Sequence, residues 1–367
     1  MPFQLLDGEY LRKELVTYIG NKRKLLPFID QGVQKVRDLL GGRRLKSFDG
    51  FSGTGCISRL LKMNSYELHS NDLEAYAKVL ADCWIPDRSK VDMKSISSAV
   101  AEADAQPLKK GFISRTYAPV DDKSIKAGER VYYTTRNAQY LDAVREWAFS
   151  QCPVELRPFV LGPLMVEASI HTNTSGIFRG FHKGDDGIGK FGGRHSAGNE
   201  SRITQDIHVF VPTLVDADCD FHSTQMDVED AAERLSDLDL AYYDPPYNQH
   251  SYAANYFMLN ILASRDDPET VEDSVTGIVK NWNRSEWNSR KTAGQALERL
   301  IAATNAKYVL LSYNNEGIIP LNEFSSILER YGKVERMEQV YDTYRGSRNF
   351  HGRAPKVIEL LWLLEKS

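Results

Sequence analysis

The spacing of apolar residues predicts a helix near the beginning of the chain. Between Lys24 and Leu40 apolar residues recur every three or four positions, which places them on one face of a helix, and Gly41-Gly42 follows as a stop signal. The apolar positions are Leu25, Leu26, Phe28, Ile29, Val33, Val36, Leu39 and Leu40. The pattern therefore predicts one helix over residues 24–40.

Six short apolar-rich runs predict strands. They are LKSFDGF (45–51), YELHSND (66–72), LDLAYYDPPY (238–247), KYVLLSYNNEG (307–317), VERMEQVYDTY (334–344) and KVIELLWLLE (356–365). Helical patterns between most of these runs favour an α/β fold with a mostly parallel sheet and helices on both of its faces. The last two runs are separated by loop signals alone, and they are predicted to pair as an antiparallel hairpin.

The stretch from Trp84 to Pro212 interrupts this alternation of strands and helices. It begins with polar, helix-like sequence and then becomes rich in glycine, with eight of the 25 glycines lying between Gly176 and Gly198. Glycine at this density does not form one regular element, so we predict a loop system within a second, smaller domain. The core then comprises residues 1–83 and 213–367, and the inserted domain comprises residues 84–212.

Composition and charge exclude several classes of protein. A chain of 367 residues has room for a core and a second domain, and its 42% hydrophobic and 26% charged residues exclude wholesale disorder. The formal net charge of -4 argues against binding of nucleic acid by overall charge alone. A net charge of this size is still compatible with a local basic groove.

The cysteines and the apolar runs bear on the cellular compartment. Cys56, Cys83, Cys152 and Cys219 form no C-x-x-C pair, so neither a zinc site nor a disulfide framework is expected, and a reducing compartment fits best. The N-terminal residues are charged and lack an apolar segment, and no run approaches the ~18 apolar residues of a membrane span. We expect a cytoplasmic protein without a secretory signal or membrane span.

A glycine loop after the first predicted strand indicates a ligand site. Gly53 and Gly55 lie between this strand and the next helix, where a backbone without Cβ atoms lets a ligand approach. Asp72 ends the second strand and is placed to accept hydrogen bonds from ribose hydroxyls. The alternatives are a plain strand-to-helix turn and a helix N-cap at Asp72. The pair favours an adenosine-type cofactor without identifying it.

The segment Tyr243-Asp244-Pro245-Pro246-Tyr247 carries the strongest chemical signal. Its prolines donate no N–H and fix φ, so the Asp244 carboxylate and an adjacent proline carbonyl offer two acceptors in fixed geometry. This pair suits an –NH2 group, whose nitrogen lone pair would then be directed at an incoming methyl group. Tyr247 supplies a ring on which a planar base can stack. The alternative is a proline-rich turn with a solvated Asp244.

In their order along the chain, these motifs resemble those of the Dam-like DNA adenine-N6 methyltransferases of the alpha group. Residues 18–26 (YIGNKRKLL) resemble the N-terminal motif that closes over the methionine end of S-adenosylmethionine, although Asn21 stands where Dam has a second glycine. Asp227 resembles the acid that contacts the adenine ring of the cofactor. The cofactor-binding residues that the resemblance implies are Tyr18, Ile19, Gly20, Asn21, Lys22, Asp49, Phe51, Ser52, Gly53, Thr54, Gly55, Asp72, Asp227 and Asp244. Packing beneath the loop is the alternative role for Phe51.

The resemblance also implies a fold and a reaction. The fold is a Rossmann-like methyltransferase core, with a mixed seven-stranded sheet, helices on both faces and a target-recognition domain in the insert. The reaction is methyl transfer from S-adenosylmethionine to the N6 amine of an adenine flipped out of double-stranded DNA. Asp244, Pro245, Pro246 and Tyr247 form the catalytic motif, and no metal is expected. We also expect the protein to act as a monomer. A cognate restriction endonuclease is the further partner that we expect.

Two basic segments are candidates for DNA contacts. The glycine-rich part of the insert carries Arg179, Lys183, Lys190 and Arg194, but neighbouring acids leave an ordinary solvated loop as the alternative. The segment YRGSRNFHGRAPK (344–356) has no acid and is interpreted as a phosphate-binding loop. Its basic candidates are Arg345, Arg348 and Arg353.

Other functions remain open from the sequence. Methylation of cytosine at its exocyclic amine, or of RNA, is the nearest alternative, but the cytosine enzymes usually have Ser in place of Asp244. Protein glutamine methyltransferases have a similar motif that usually begins with Asn. A DNA-binding protein that keeps the fold without catalysis is a third alternative, which the complete set of Asp72, Asp227 and Asp244 disfavours.

Overall fold

One seven-stranded sheet forms the centre of the protein. The computed structural model describes residues 8–18, 22–195, 199–280, 282–342 and 356–367. The strands are β1 (Leu45–Asp49), β2 (Ser65–Asp72), β3 (Asp220–Gln225), β4 (Leu238–Tyr243), β5 (Ala306–Asn314), β6 (Gly332–Asp342) and β7 (Lys356–Lys366), in the order β3-β2-β1-β4-β5-β7-β6. The first five pair in parallel, and β7 lies antiparallel to both β5 and β6. The predicted mixed sheet and its hairpin are confirmed.

The strand β3 is absent from the six runs predicted as strands. Its sequence, DFHSTQ, contains a single large apolar residue, Phe221, and its side chains are exposed or half-buried. It pairs with β2 alone, at the edge of the sheet. An edge strand with little buried surface does not need the apolar pattern by which the other strands were predicted.

Helices cover both faces of the sheet. They are α1 (Gly8–Arg12), α2 (Leu26–Leu39), α3 (Cys56–Asn64), α4 (Ala75–Trp84), α5 (Met93–Asp104), α6 (Phe112–Tyr117), α7 (Thr135–Ser150), α8 (Arg157–Ile170), α9 (Asn199–Thr204), α10 (Val228–Glu233), α11 (Tyr252–Asn255), α12 (Phe257–Ala263), α13 (Ala293–Ala303) and α14 (Leu321–Glu329). The helices α1, α2 and α3 share one hydrophobic cluster with the sheet, and α10, α13 and α14 share another. Alternate residues of β4 enter the two clusters, so this strand is buried on both faces.

The helix predicted over residues 24–40 is observed as α2, and it packs closely on β5 and β7. A Cβ atom at Gly32 would lie 2.8 Å from Leu361 Cδ2 and 3.0 Å from Leu310 Cδ1, so only glycine permits this approach. A short 3-10 helix, Lys22–Lys24, precedes α2. Lys22 therefore lies directly before the helix that packs on β5 and β7.

The predicted insert contains α5 to α9 and the glycine-rich segment. Its apolar side chains do not form a core of their own, because they share one cluster with α4 and α12. Phe178, Phe181 and Phe191 of the glycine-rich segment are buried in this cluster. Such sharing joins the insert to the rest of the chain, and the boundaries at residues 84 and 212 stay a prediction.

The cysteines and the helix lengths add two further observations. Cys56, Cys83, Cys152 and Cys219 are all buried and free. Among the helices of the described residues, none is both long enough and apolar enough to cross a bilayer.

Candidate active site

The predicted motifs meet at the carboxyl ends of three neighbouring strands. The glycine loop follows β1, Asp72 ends β2 and Asp244 follows β4. The chain order of the strands reverses between β1 and β4, and crevices at such a switch point bind ligands in open α/β sheets. One pocket of about 950 Å³, counted out to its open mouth, includes Gly53, Asp72 and Asp244 in its wall. The sequence signals therefore converge on one cavity.

The glycine loop is held to β2 by Asp72. Gly53 (φ 49°) and Gly55 (φ 75°) both adopt the left-handed conformation that favours glycine. The Gly53 N–H donates to Asp72 Oδ2 at 2.8 Å, and the Glu74 N–H donates to Oδ1 at 2.9 Å. Burial raises the pKa of Asp72, and these backbone hydrogen bonds oppose the shift. The N-cap of α4 is Glu74, so the alternative of Asp72 as the N-cap is wrong.

The pocket wall has the polar groups and rings that an adenosine cofactor requires. Asp72 and Asp227 bring two carboxylates that can accept from hydroxyl and amino groups, and Asp227 also caps α10 through the Glu229 N–H at 2.9 Å. Phe51 and Trp287 line the same pocket, edge to face at a centroid distance of 5.3 Å. Phe51 therefore both packs against its neighbours and faces the cavity. This set of residues fits S-adenosylmethionine.

The other predicted cofactor residues fall into three groups. Tyr18, Lys22, Ser52 and Thr54 line the pocket together with the residues above, whereas Asp49 and Gly55 are not part of its wall. Asp49 is buried at the end of β1, where it accepts from Ser58 Oγ at 2.6 Å, and burial raises its pKa to about 7. The remaining three, Ile19, Gly20 and Asn21, lie outside the described residues.

The Asp-Pro-Pro-Tyr motif, predicted from the sequence to be catalytic, begins where β4 ends. Tyr243 is fully buried, and its hydroxyl lies 2.7 Å from Thr304 Oγ1, which fixes the end of the strand. The next side chain, Asp244, is 20% exposed and faces the pocket, as Pro246 does. Pro245 is buried and is not part of the pocket wall. Burial raises the pKa of Asp244, and the positive charge of Lys22 opposes that rise.

Lys22 connects Asp244 with Tyr247. Its ammonium lies 3.1 Å from Asp244 Oδ1 and donates to the Tyr247 hydroxyl at 2.6 Å. The Tyr247 hydroxyl in turn donates to Ser312 Oγ at 3.1 Å. Tyr247 is not part of the pocket wall, and its ring packs edge-on against Tyr313 at 5.0 Å. A lysine predicted as a cofactor residue thus contacts two members of the catalytic motif.

Two acids near the pocket were missed from the sequence. Glu359, on β7, is buried, and its Oε2 lies 3.7 Å from Lys22 Nζ. The sequence signal that could have revealed Glu359 is its position as a lone acid inside the apolar run VIELLWLL. Glu74 lines the pocket and accepts from Asn260 Nδ2 at 2.5 Å, and burial raises its pKa to about 7.

The predicted DNA-binding residues of the insert are exposed. Arg179 Nη1 lies 3.2 Å from His250 Nδ1, in the loop that follows the catalytic motif, so this side chain reaches the neighbourhood of the site. Arg194 forms an exposed ion pair with Asp185 at 3.1 Å. Lys183 and Lys190 are exposed on the same segment. The C-terminal candidates Arg345, Arg348 and Arg353 lie outside the described residues.

A group of potential metal ligands lies away from the pocket. Glu67, His69 and His222 on β2 and β3 place ligand atoms within 4.8 Å of one another. The two imidazole planes are stacked with an angle of only 18° between them, so their in-plane lone pairs do not converge on one point. Two other histidines, His171 and His208, lie outside this group; His171 is buried and His208 is exposed.

The sheet order and the pocket define a class of protein. A glycine loop after β1, an acid at the end of β2 and Asp-Pro-Pro-Tyr after β4 are the features of a cofactor-dependent methyltransferase that acts on an amino group. The family model described as D12 class N6 adenine-specific DNA methyltransferase matches residues 18–154 and 207–327. The chain therefore belongs to this family, and it is a DNA adenine methyltransferase that uses S-adenosylmethionine as methyl donor. The interval 155–206, which the match leaves out, falls within the predicted insert.

Individual relatives agree with this assignment. The chain is 28% identical over 364 residues to the type II methyltransferase M.NlaIII of Neisseria lactamica, covering 96% of this chain and 100% of the relative. It is 26% identical over 327 residues to the type II methyltransferase M.CviAII of Paramecium bursaria Chlorella virus 1, covering 87% and 90%. Its similarity to modification methylase StsI of Streptococcus sanguinis, at 27% identity, covers 96% of this chain and 52% of that larger protein.

Proposed function

We propose that the pocket at the switch point binds S-adenosylmethionine over the glycine loop and receives a flipped-out adenine beside Asp244. The observation that carries this proposal is the continuity of the pocket, whose wall includes both the cofactor motifs and the catalytic acid. A base inside the duplex cannot bring its amino group to Asp244, so the adenine must leave the stack. The continuous cavity then allows donor and acceptor to meet in one reaction space.

The residues of the motif have distinct roles in this proposal. The ionised Asp244 and the Pro245 carbonyl each accept one N–H of the amine, which leaves the nitrogen lone pair directed at the donor. Tyr247 lies outside the pocket wall, where Lys22 holds its hydroxyl, and its ring has to turn toward the cavity to stack on the base. When bound, S-adenosylmethionine would supply a methyl group already activated on a sulfonium, with the neutral thioether as leaving group. The methylated nitrogen then has to lose one proton, for which the hydrogen-bonded Asp244 carboxylate is the nearest acceptor on the way to solvent.

The cellular role is proposed from the relatives. M.NlaIII and M.CviAII are named type II methyltransferases. By analogy the chain modifies a specific DNA sequence that a cognate restriction endonuclease would otherwise cut. We propose that it acts as a monomer, because a base-flipping enzyme on an asymmetric site needs no two-fold axis. The four free, buried cysteines support a cytoplasmic location.

Transfer of tritium from labelled S-adenosylmethionine tests the proposed reaction. We expect label in DNA from a methylation-deficient bacterial host, recovered as N6-methyladenine after nucleoside digestion. The same DNA already modified by the enzyme is the matched control and accepts no further label, because its sites are filled. Label in N4-methylcytosine, or in RNA and not in DNA, would contradict the assignment of the acceptor.

Replacing Arg179 with alanine is expected to weaken DNA binding. The guanidinium is exposed on the insert beside the loop that follows the catalytic motif, where it is placed to contact a phosphate. Loss of one phosphate contact lowers the slope of log affinity against log salt by about one. Titration of duplex DNA at several salt concentrations measures this slope. Arg330→Ala, an exposed arginine at the opposite edge of the sheet, serves as the control, and equal slopes for the two variants would remove Arg179 from the interface.

A further inference from the structure

Lys22 is held between two carboxylates. Its ammonium lies 3.1 Å from Asp244 Oδ1 and 3.7 Å from Glu359 Oε2, and the side chains of Lys22 and Glu359 are only 6% and 9% exposed. It also donates to the Tyr247 hydroxyl at 2.6 Å. The ammonium therefore lies close to three polar groups of the site, two carboxylates and one hydroxyl.

Glu359 is an unusual residue for its position. It lies on β7 opposite Asn314 of β5, on the strand whose neighbouring residues fill the two hydrophobic clusters of the sheet. Its Oε2 accepts no hydrogen bond from the described residues, so the charge of this oxygen is balanced by the nearby ammonium of Lys22. Burial of a carboxylate costs desolvation free energy, so its presence at this position calls for a functional explanation.

Glu359 does not contact the reacting groups directly. It is absent from the pocket wall, whereas Lys22 and Asp244 are both part of it. Lys22 links Glu359 to Asp244, because its ammonium lies near both carboxylates, and the charge of Glu359 also acts through space on Asp244 and Tyr247. Glu359 is in this sense a positioning residue.

We propose that Glu359 anchors the Lys22 ammonium, so that Lys22 holds Asp244 and Tyr247 in the geometry that the target amine requires. This inference rests on the proposed role of Asp244 as acceptor for that amine. The Lys22 ammonium is carried by a flexible side chain. If Asp244 were its only carboxylate partner, the ammonium would move closer to Asp244 and compete with the adenine amine for the carboxylate oxygens. Glu359 attracts the same ammonium from the other side, so that Asp244 remains able to accept a hydrogen bond from the adenine amine.

A double-mutant cycle with Lys22→Gln tests this coupling. The single-turnover rate of methyl transfer is measured for the wild type, Glu359→Gln, Lys22→Gln and the double variant, with S-adenosylmethionine affinity measured by calorimetry. We expect Glu359→Gln to lower the rate about 10-fold with little change in cofactor affinity. In the Lys22→Gln background the same change should cost less than about twofold, because its partner is gone. Glu359→Asp, which keeps the charge, should recover part of the rate.

Asp87→Asn provides a matched control. Asp87 is another buried carboxylate that faces a buried lysine, 3.0 Å from Lys62 Nζ, and it is not part of the pocket wall. This variant should melt at a lower temperature while keeping its single-turnover rate. If Glu359→Gln does not fold, the same cycle is run with Glu359→Asp, whose smaller loss should likewise vanish in the Lys22→Gln background.

The outcomes separate this inference from the proposed function. An unchanged rate in Glu359→Gln, or an equal loss with and without Lys22, would overturn the anchoring role while Asp244→Ala still abolished transfer. An Asp244→Ala variant with the wild-type rate would instead overturn the proposed function of the motif. A loss of rate that vanishes without Lys22 supports the anchor.

Discussion

Replacing Asp244 with alanine should lower the rate of methyl transfer on the order of 10²- to 10³-fold while S-adenosylmethionine still binds. The carboxylate follows β4 in a largely buried position and faces the pocket, where it is placed to accept from the adenine amine. The change removes that acceptor and leaves the glycine loop, Asp72 and Asp227 intact. The rate of methyl transfer should therefore fall far more than the affinity for S-adenosylmethionine.

Single-turnover label transfer and calorimetry measure these two quantities separately. Asp230→Ala is the control, because Asp230 is an exposed acid of α10 that is not part of the pocket wall, and it should behave like the wild type. Asp244→Ala with normal turnover, or with lost cofactor binding and a normal rate at saturation, would show that Asp244 does not hold the acceptor.

Replacing Lys22 with glutamine should shift the acidic limb of the pH–rate profile to higher pH. Burial raises the pKa of Asp244, and the Lys22 charge opposes that rise, so removal of the charge raises the pKa further. In the proposed reaction, transfer needs the ionised carboxylate, so activity should be lost as pH falls through the pKa of Asp244. The limb should move up by about one to two pH units. At the plateau the rate should also fall about 10-fold, because Tyr247 loses its donor.

Lys24→Gln is the matched control for this profile. Lys24 belongs to the same 3-10 turn but is exposed, so its removal should leave the limb where it is in the wild type. The profile is measured from single-turnover rates between acidic and neutral pH. A limb that stays in place in Lys22→Gln, or that moves to lower pH, would show that the ammonium does not act on Asp244.

The position of the Asp-Pro-Pro-Tyr motif at a strand end could be predicted from the sequence because its backbone geometry is local, while its catalytic role stays a prediction. Two consecutive prolines after an apolar run fix the backbone wherever they occur, and a carboxylate beside them is displayed without help from the rest of the fold. The glycine loop and Asp72 were predicted for a similar reason, since a strand end and a turn are defined by neighbouring residues. Their convergence on one pocket then follows from the parallel strand order.

The contacts around Lys22 could not be predicted in the same way. Glu359 reaches Lys22 only because β7 runs antiparallel beside β5 and because Gly32 lets α2 approach those strands. The register of a sheet and the depth of a helix are set by packing between distant segments, which a single sequence does not display. The edge strand β3 was missed for the complementary reason, since it buries too little to need an apolar pattern.

The shared hydrophobic cluster constrains how DNA specificity can change in this scaffold. The predicted recognition domain buries its apolar side chains against α4 and α12. The domain and the methyltransferase core therefore share one hydrophobic cluster, and the domain cannot be exchanged without changing that cluster. An exchange of residues 84–212 between relatives would pair two halves of a core that had not been selected to fit. New specificities should therefore arise more readily by substitution of exposed residues of the glycine-rich segment, such as Arg179 and Lys183, than by recombination of whole domains. Chimeras that also carry the partner's α4 and α12 are the ones expected to fold.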